Sequence, residues 1–287
     1  MDGILLGGGS GKRLSPLTTA TNKHFLSIYD KPMIYYSLAI LLLSKVRKIT
    51  LICDNASIDS YKKLLGNGKE FGIEINYSLQ ESPDGLPHAI ATGLNEFPME
   101  KFMVVLGDNF LYGREFFNKF DEGYFKNDNF IFYQKVKDPT GFGILEFDKK
   151  GNLIKLIEKP KKFISNYVAV GVYIFDNKFM NYYDKIGKSK RGEYEIIDII
   201  NSYINDDSLS PFYLGRGMSW LDMGSYESLI SSSNFVKTLQ DRQDILVNSP
   251  HEISYRNGWI THDELSDLIE KNKESSYFQE LKEILND

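Results

Sequence analysis

The sequence of 287 residues has little cysteine, little histidine and no excess of positive charge. Cys53 is the single cysteine, which excludes an internal disulfide and a cysteine-rich metal site. The four histidines are scattered at positions 24, 88, 251 and 262, and this spacing disfavours a histidine-based metal site. Lysine and arginine number 34 against 39 aspartates and glutamates, giving a net charge of −5. Neither a nucleic-acid partner nor an anionic membrane is indicated.

Long apolar runs are also missing. The apolar run that includes residues 39–43 is far shorter than the ~20 residues that span a bilayer. The first residues lack the basic segment of a signal peptide, so we expect a cytoplasmic protein. The composition, 42% hydrophobic and 14% aromatic, supplies the core of one large α/β unit and excludes disorder as the dominant state.

The first half of the chain alternates short apolar runs with helical patterns. Predicted strands cover residues 3–6, 49–53, 73–78 and 102–106, and predicted helices cover a segment after Asp30 and residues 57–65 and 86–96. Asp30 is expected to cap the first helix, with Pro32 in its first turn. This alternation is typical of a largely parallel sheet with helices on both faces.

The second half is less regular. Strands are predicted at residues 131–136, 143–147, 153–157 and 168–175, and helices at 193–205, at 225–240 and twice between 261 and 285. The predicted fold class is α/β, with a Rossmann-like mixed, mostly parallel central sheet flanked by helices. We expect an α/β domain over residues 1–240 and a helical extension over 241–287 that packs on the same domain.

A glycine-rich loop follows the first predicted strand. Gly7, Gly8, Gly9 and Gly11 let the backbone turn sharply, and successive N–H groups in such a loop form an anion-binding concavity. Lysine and arginine at positions 12, 13 and 23 add positive charge, so the loop suits a polyphosphate. The alternative is a surface turn that happens to be rich in glycine.

Two familiar phosphate motifs do not fit this loop. A Walker A loop needs glycine where Leu6 stands and serine or threonine where Arg13 stands. The dinucleotide fingerprint needs a third glycine where the sequence has Lys12 or Leu14. An ATPase of that type and a dehydrogenase are therefore disfavoured.

Two aspartates suggest a metal site. Asp108 follows a predicted strand, and ligands of open α/β sheets bind at the carboxyl edge of the strands. Asp222 lies between apolar neighbours, which is unusual for a plain surface charge. Two carboxylates suit Mg²⁺, which prefers oxygen ligands shared with substrate phosphates. The alternative for each is an N-cap or turn aspartate.

Cationic residues in the second half suggest a second phosphate site. Glu158 and Lys159 end a predicted strand before Pro160, where an adjacent carboxylate and ammonium can bind a sugar hydroxyl and a phosphate. Arg191 precedes a predicted helix, and its guanidinium can donate two hydrogen bonds to one phosphate group. The alternatives are a solvated ion pair and a surface arginine near a helix start.

Taken together, the motifs of this chain resemble those of the sugar-1-phosphate nucleotidyltransferases. The resemblance runs over almost the whole length and includes residues 8–18, 22–26, 29–36, 82–86, 106–109, 158–160, 191–196 and 220–224. It is closest to members that use dTTP and glucose 1-phosphate to make dTDP-glucose for dTDP-deoxysugars such as rhamnose. The resemblance implies the nucleotide-diphospho-sugar transferase type of fold, a Mg²⁺ cofactor and a homotetramer.

The same resemblance implies roles for individual residues. The nucleotide phosphates would be bound by Gly8, Gly11, Lys12, Arg13 and Lys23, and the base by Gln80 and Gly85. Mg²⁺ would be held by Asp108 and Asp222. The hexose and its phosphate would be bound by Gly107, Asn109, Gly143, Glu158, Lys159, Tyr173 and Arg191. The residues expected to be catalytic are Arg13, Lys23, Asp108, Lys159 and Asp222.

Four departures from the family pattern bear on these expectations. Lys12 replaces a usual threonine or serine, Ser27 a common proline and Ala169 a usual valine, while Pro87 and His88 alter the helix after the base loop. Gln80 can pair with thymine and uracil alike, so a uridylyltransferase or another nucleotidyltransferase acting on a different hexose phosphate is an alternative. A non-catalytic nucleotide-sugar sensor is a further alternative, although the expected charged residues are all present.

Overall fold

The central sheet is built around the strand that opens the chain. The structure, a computed structural model, describes residues 1–9 and 11–286, so Ser10 of the glycine-rich loop and Asp287 lie outside the described residues. The strands are β1 (Asp2–Leu6), β2 (Ser27–Ile28), β3 (Lys31–Pro32), β4 (Lys48–Cys53), β5 (Glu74–Leu79), β6 (Lys101–Leu106), β7 (Asn109–Tyr112), β8 (Asn129–Lys135), β9 (Gly143–Phe147), β10 (Leu153–Glu158), β11 (Tyr167–Asp176), β12 (Leu209–Tyr213) and β13 (Ser219–Asp222).

The helices lie on both faces of this sheet. They are α1 (Met33–Leu43), α2 (Ile58–Leu65), α3 (Leu86–Glu96), α4 (Glu115–Asp121), α5 (Lys178–Tyr183), α6 (Ile196–Asn205), α7 (Tyr226–Gln243), α8 (Pro250–Arg256), α9 (His262–Lys271) and α10 (Ser276–Asn286). One core cluster packs α1 and α2 on one face, and a second packs α3, α5 and α6 on the other. Within the described residues, no helix is both long enough and apolar enough to cross a bilayer.

The sheet is mixed, as the sequence predicts. Its strands run in the order β10-β9-β11-β6-β1-β4-β5, with β8 beside β11 and β12 beside β8. Strands β6, β1, β4 and β5 are parallel, whereas β11 is antiparallel to β6. The carboxyl ends of β1, β4 and β6 therefore meet at one edge of the sheet, and the glycine-rich loop begins there.

The start of α1 differs from the expectation. Pro32, not Asp30, precedes the first helical residue, and no side chain caps this helix. The Asp30 carboxylate instead accepts hydrogen bonds from Lys31 Nζ at 2.7 Å and from the Tyr36 hydroxyl at 3.2 Å. Because Lys31 is 3% exposed, Asp30 is needed to compensate a buried ammonium and is not available as a cap.

The last helices pack on the α1 side of the sheet. Helix α7 extends past residue 240, the predicted boundary, to Gln243. Ile253 of α8 belongs to the core cluster that contains α1. The hydroxyl of Tyr277 on α10 lies 2.6 Å from Ser249 Oγ and 2.9 Å from His251 Nδ1.

Candidate active site

The start of the glycine loop (residues 7–13) is held by three side chains. The Gly7 carbonyl accepts hydrogen bonds from Asn22 Nδ2 at 2.9 Å and from the Tyr61 hydroxyl at 2.8 Å, and it lies 3.1 Å from His24 Nδ1. Burial, reinforced by the charge of Lys23, lowers the pKa of His24 to about 3, so this imidazole is neutral. Since Lys23 stands between Asn22 and His24, the same contacts fix its backbone beside the loop.

The rest of the loop surrounds a small cationic space. Gly11 has φ 57°, a left-handed backbone conformation that favours glycine. A Cβ added there would also lie 2.9 Å from Thr18 Cγ2, so both the backbone conformation and the available space favour glycine. Beyond it lies a cavity of about 220 Å³, lined by Gly9, Gly11, Lys12, Arg13, Leu14, Lys23 and Gly224. Three cationic side chains and a glycine backbone around one space can bind a phosphate group.

Lys23 reaches from the loop to the carboxyl edge of β6. Its Nζ lies 2.5 Å from Asp108 Oδ2, and both side chains are largely buried. Burial opposes ionisation of Asp108, but the charge and hydrogen bond of Lys23 outweigh it, so the pKa of Asp108 lies below its usual value. Asp108 is therefore a carboxylate at neutral pH.

Asp222 is brought to Asp108 by a short antiparallel ladder. Strand β13 pairs with β7 so that Asp222 lies opposite Asn109, and the N–H of Met223 donates to the carbonyl of Asp108 at 2.9 Å. Burial and the negative charge of Asp108 raise the pKa of Asp222, whereas Arg13 and Lys23 act in the opposite direction. The two predicted metal ligands thus lie close enough to interact.

Arg13 turns toward this carboxylate pair. A Cβ added at Gly224 would lie 2.6 Å from Arg13 Nη2 and 2.9 Å from Asp222 Oδ1, so the guanidinium and the carboxylate flank the same glycine. The four predicted groups Arg13, Lys23, Asp108 and Asp222 therefore converge on one cleft.

The donor set of this cleft fits a divalent cation shared with a substrate. Among the described residues, no group of three or more His, Cys, Asp and Glu side chains could hold a metal ion by itself. Asp108 and Asp222 supply two carboxylates whose mutual repulsion a cation would relieve. Mg²⁺ commonly takes one or two carboxylates and completes its octahedron with waters and phosphate oxygens.

A second cavity adjoins the glycine loop on the side of β4. It measures about 310 Å³ and is lined by Leu6, Gly8, Gly9, Ile52, Gln80, Pro83, Gly85, Leu86, Ala89 and Glu193. Gln80 continues from β5, and its Nε2 donates to the Gly85 carbonyl at 3.1 Å. A side chain at Gly85 would collide with the Tyr194 carbonyl, so glycine is required there. The cavity thus brings Gln80 and Gly85, the residues predicted for the base, together with Gly8, which was predicted for the nucleotide phosphates.

The predicted sugar side begins at Gly107 and Asn109. A Cβ at Gly107 would lie 2.5 Å from the Leu6 carbonyl and 2.8 Å from His24 Nε2, so no side chain fits there. Asn109 is 3% exposed, and its Oδ1 accepts from the Gly171 N–H at 3.1 Å and from Trp220 Nε1 at 2.6 Å. This amide oxygen therefore binds β11 to β13.

The remaining predicted sugar residues lie on β9 to β11. Gly143 pairs with Glu158, whose Oε1 lies 3.2 Å from Lys159 Nζ in an exposed ion pair. Lys159 has φ 41°, which residues other than glycine rarely adopt and which is common at functional sites. Tyr173 is buried in β11, and burial followed by the charge of Glu158 raises its pKa. Ala169, the smaller residue noted in the sequence, lies two residues before Gly171 in the same strand.

Arg191 is held by a carboxylate that the sequence analysis did not single out. Its Nη2 and Nε lie 2.6 and 3.1 Å from the two carboxylate oxygens of Glu195, and Ser189 Oγ donates to Glu195 Oε1 at 2.7 Å. Burial opposes ionisation of Glu195, but the hydrogen bond from Arg191 outweighs it and lowers the pKa of Glu195, and the hydrogen bond to Glu195 raises the pKa of Arg191; smaller effects of Lys159 on Glu195 and of Glu158 on Arg191 act in the same directions. Arg191 and Lys159 therefore lie in one charged neighbourhood.

Three functional residues were missed by sequence reasoning. Glu195 follows Arg191 by only four residues, and this pairing precedes α6, which begins at Ile196, so no helical spacing announced it. His24 and Tyr61, which hold the glycine loop, are invisible to pattern analysis because their common partner is a backbone carbonyl far away in the sequence.

A cationic glycine turn, a carboxylate pair and a cavity beside Gln80 lie at the carboxyl edge of the parallel strands, which is where nucleotide-dependent transferases of the α/β class bind their ligands. The family model described as nucleotidyl transferase matches residues 2–238. The chain belongs to the nucleotidyl transferase family.

Relatives with assigned functions are similar over the full length. The chain is 39% identical over 286 residues to the glucose-1-phosphate thymidylyltransferase of Neisseria meningitidis, with 99% of both chains covered. It is 37% identical over 286 residues to the protein of the same name from Mycolicibacterium smegmatis, covering 100% of this chain and 99% of that one.

Solved structures agree with this similarity. A Bacillus anthracis protein assigned as a glucose-1-phosphate thymidylyltransferase superposes with a TM-score of 0.75 at 31% identity, over 82% of this chain and 94% of that chain. A UDP-glucose pyrophosphorylase superposes with a TM-score of 0.72 at 20% identity, over 83% of this chain and 98% of that chain, which shows the common fold alone.

Proposed function

We propose that this protein transfers a thymidylyl group from dTTP to glucose 1-phosphate, giving dTDP-glucose and pyrophosphate. The observation that carries the proposal is the convergence of Asp108, Asp222, Lys23 and Arg13 on one cleft. The names of the full-length relatives supply the base and the sugar.

The reaction needs positioning and charge stabilisation more than acid–base chemistry. An anionic oxygen of glucose 1-phosphate attacks the α-phosphorus in line, the bond to the bridging oxygen breaks, and pyrophosphate leaves on the opposite side. Because the attacking oxygen is already ionised at neutral pH, no general base is required. Catalysis then depends on bringing together two anions that repel each other.

Each basic residue is assigned to the phosphate group whose charge it stabilises. Arg13, at the glycine loop, stabilises the charge on the departing pyrophosphate, and Lys23 neutralises the α-phosphate. Lys159 and Arg191 hold the sugar phosphate, as the family resemblance implies. Glu158 beside Lys159 accepts a hydrogen bond from a sugar hydroxyl.

We also propose Mg²⁺ as the cofactor, held by Asp108 and Asp222. When bound, the ion supplies Lewis-acid stabilisation of phosphate charge. The support is the donor chemistry of the cleft: the two carboxylates interact with each other, and Asp108 contacts Lys23, which lines the cationic cavity. A homotetramer is proposed from the family resemblance, and a purely monomeric mass in light scattering would contradict it.

Pyrophosphate release tests the proposed reaction directly. We expect release with dTTP and glucose 1-phosphate, its loss after chelation and its return with added Mg²⁺. A panel of dTTP, UTP, ATP and GTP against glucose, galactose and mannose 1-phosphates identifies the preferred pair. Preference for UTP or for another sugar would replace the named substrates, and no release with any pair would refute nucleotidyl transfer.

A further inference from the structure

The chain segment that carries Arg191 is joined to the loop beside the cavity of Gln80 and Gly85. We call residues 81–85 the base loop and residues 187–195, between α5 and α6, the phosphate segment. The N–H of Tyr194 donates to the carbonyl of Asp84 at 2.8 Å, and Tyr194 forms a parallel β-bridge with Gly85. Two parts of the chain that are far apart in the sequence therefore share one hydrogen-bonded junction.

A salt bridge closes the same junction. Lys188 Nζ lies 2.8 Å from Asp84 Oδ1, and the Ser82 hydroxyl donates to Asp84 Oδ2 at 2.9 Å. These hydrogen bonds, that of Lys188 first, lower the pKa of Asp84, so the pair is charged at neutral pH. Lys188 Nζ also lies 5.7 Å from the centroid of the Tyr194 ring. Asp84 is thus contacted from both ends of the phosphate segment.

Inside the phosphate segment, Ser189 connects Lys188 to the ion pair of Arg191 and Glu195. Its hydroxyl donates to Glu195 Oε1 at 2.7 Å and accepts from the Arg191 N–H at 3.2 Å. The segment is irregular, and each of its residues is half-buried or exposed. Because few buried contacts hold such a segment, its position depends strongly on those at its ends. The salt bridge of Lys188 is therefore expected to influence the position of Arg191.

The cavity touches both sides of the junction. Its lining includes Pro83 and Gly85 of the base loop and Glu193 of the phosphate segment. A base that fills the cavity would contact both chain segments and restrict their motion. Once the phosphate segment is ordered, a sugar phosphate that binds Arg191 loses less conformational entropy, so the two ligands favour each other.

We infer that Asp84 and Lys188 are positioning residues, which couple occupation of the base cavity to binding of the sugar phosphate at Arg191. This inference rests on the proposed function, which assigns the base to this cavity and the sugar phosphate to Arg191. It goes further by assigning the coupling to a salt bridge that neither substrate is proposed to contact. Coupling between two sites is reciprocal, so each ligand tightens binding of the other by the same factor.

Thymidine is the probe that isolates this coupling, because it carries the base without any phosphate charge. We expect saturating thymidine to lower the Kd for glucose 1-phosphate at least about threefold in calorimetry, and the reverse titration to give the same factor. The factor should fall at least about twofold in Lys188→Met and in Asp84→Asn, since an exposed ion pair changes an equilibrium constant by up to about fivefold. The double variant should show no further fall, because both substitutions remove the same interaction.

Two further substitutions separate the salt bridge from charge and folding effects. Lys188→Met keeps an apolar chain beside the Tyr194 ring, and Lys188→Arg restores the charge and should retain the factor. Lys190→Met is the matched control, because it removes the same charge from an exposed position of the same segment and should also retain the factor. In the pyrophosphate assay, Lys188→Met should raise the KM for glucose 1-phosphate about two- to fivefold with kcat little changed.

The outcomes distinguish this inference from the proposed function. If the substrate panel selects another sugar phosphate, that compound replaces glucose 1-phosphate in the titration. Mutual tightening that is lost in Lys188→Met, without pyrophosphate release, would refute thymidylyl transfer and leave the coupling standing. Failure of both thymidine and uridine to tighten sugar phosphate binding, an unchanged factor in Lys188→Met, or an equal loss in Lys190→Met would overturn the inference, even in a protein that releases pyrophosphate.

Discussion

Replacing Asp222 by asparagine should make the protein more stable and less active at the same time. The asparagine Oδ1 can keep the hydrogen bond that the Gly224 N–H now donates at 3.0 Å. What disappears is a negative charge whose ionisation is opposed by burial and by Asp108. The substitution thus isolates the electrostatic cost of the carboxylate pair.

The sign of the stability effect follows from the pKa. Because the pKa of Asp222 is raised in the folded state, the folded protein binds more protons than the unfolded chain above the ordinary aspartate value of about 4. Stability is therefore lost as the pH rises through this window, and the ionised side chain destabilises the fold at pH 7. As an upper bound, two unit charges at a contact distance of about 4 Å repel by about 4 kcal/mol at an effective dielectric constant of about 20.

The net effect is smaller than this repulsion. Arg13 and Lys23 offset part of it, so we expect Asp222→Asn to raise the free energy of unfolding at pH 7 by on the order of 1 kcal/mol. This corresponds to about 2 °C in Tm for a chain of this size. The gain should shrink as the pH falls toward about 4. Activity should fall by about 10²–10³-fold.

Asp108→Asn is the matched control, because it should change stability in the opposite direction. The pKa of Asp108 is lowered, so its carboxylate stabilises the fold above about pH 4, and that contribution is lost as the pH falls. Its removal leaves the Lys23 ammonium without its 2.5 Å partner and should cost about 3 kcal/mol at pH 7. Urea unfolding at pH 7 and pH 4 measures both variants. A destabilised Asp222→Asn, or equal shifts in the two variants, would refute the reasoning.

Three further outcomes are expected. Arg13→Ala should lower kcat/KM by about 10²–10³-fold in the pyrophosphate assay, and near-normal turnover would remove its assigned role. Gly171→Ala should lower the free energy of unfolding by about 1–3 kcal/mol, because its Cβ would collide with Asn109 Nδ2, and an unchanged denaturation midpoint would contradict this packing. Glu195→Gln should raise the KM for the sugar phosphate about fivefold with kcat little changed, because Arg191 would lose its bidentate partner, whereas an equal fall in kcat would indicate another role for this carboxylate.

Much of the fold could be predicted because its pattern is local. The strand predicted at residues 143–147 is β9, and the helix predicted at 86–96 is α3, both with the predicted bounds. Their apolar periodicity and flanking turns are contained in a few residues. In contrast, β7 and β13 have only four residues each and carry no pattern of their own. They exist because they pair with each other.

In the candidate site, too, the features with a local sequence pattern could be predicted and those that depend on distant pairing could not. Asp108 follows a clear strand, so its position at the sheet edge could be anticipated. The proximity of Asp222 to it was implied by the family resemblance alone and not by any local pattern, because that proximity depends on the β7–β13 ladder. The cap expected at Asp30 was wrong because a buried lysine, which sequence alone does not reveal, competes for the carboxylate. The roles taken from the resemblance stay predictions until the variants are measured.

The ladder between β7 and β13 also governs when the site first exists during synthesis. Asp108 and its strand leave the ribosome long before Asp222, and closing so long a loop is slow compared with forming local helices. A nascent chain that stops before β13 holds the parallel strands and the glycine turn with half of the carboxylate pair. We therefore expect that a growing chain cannot bind metal-bound nucleotide until nearly the entire sheet has emerged. Ligand binding then indicates that the sheet has folded.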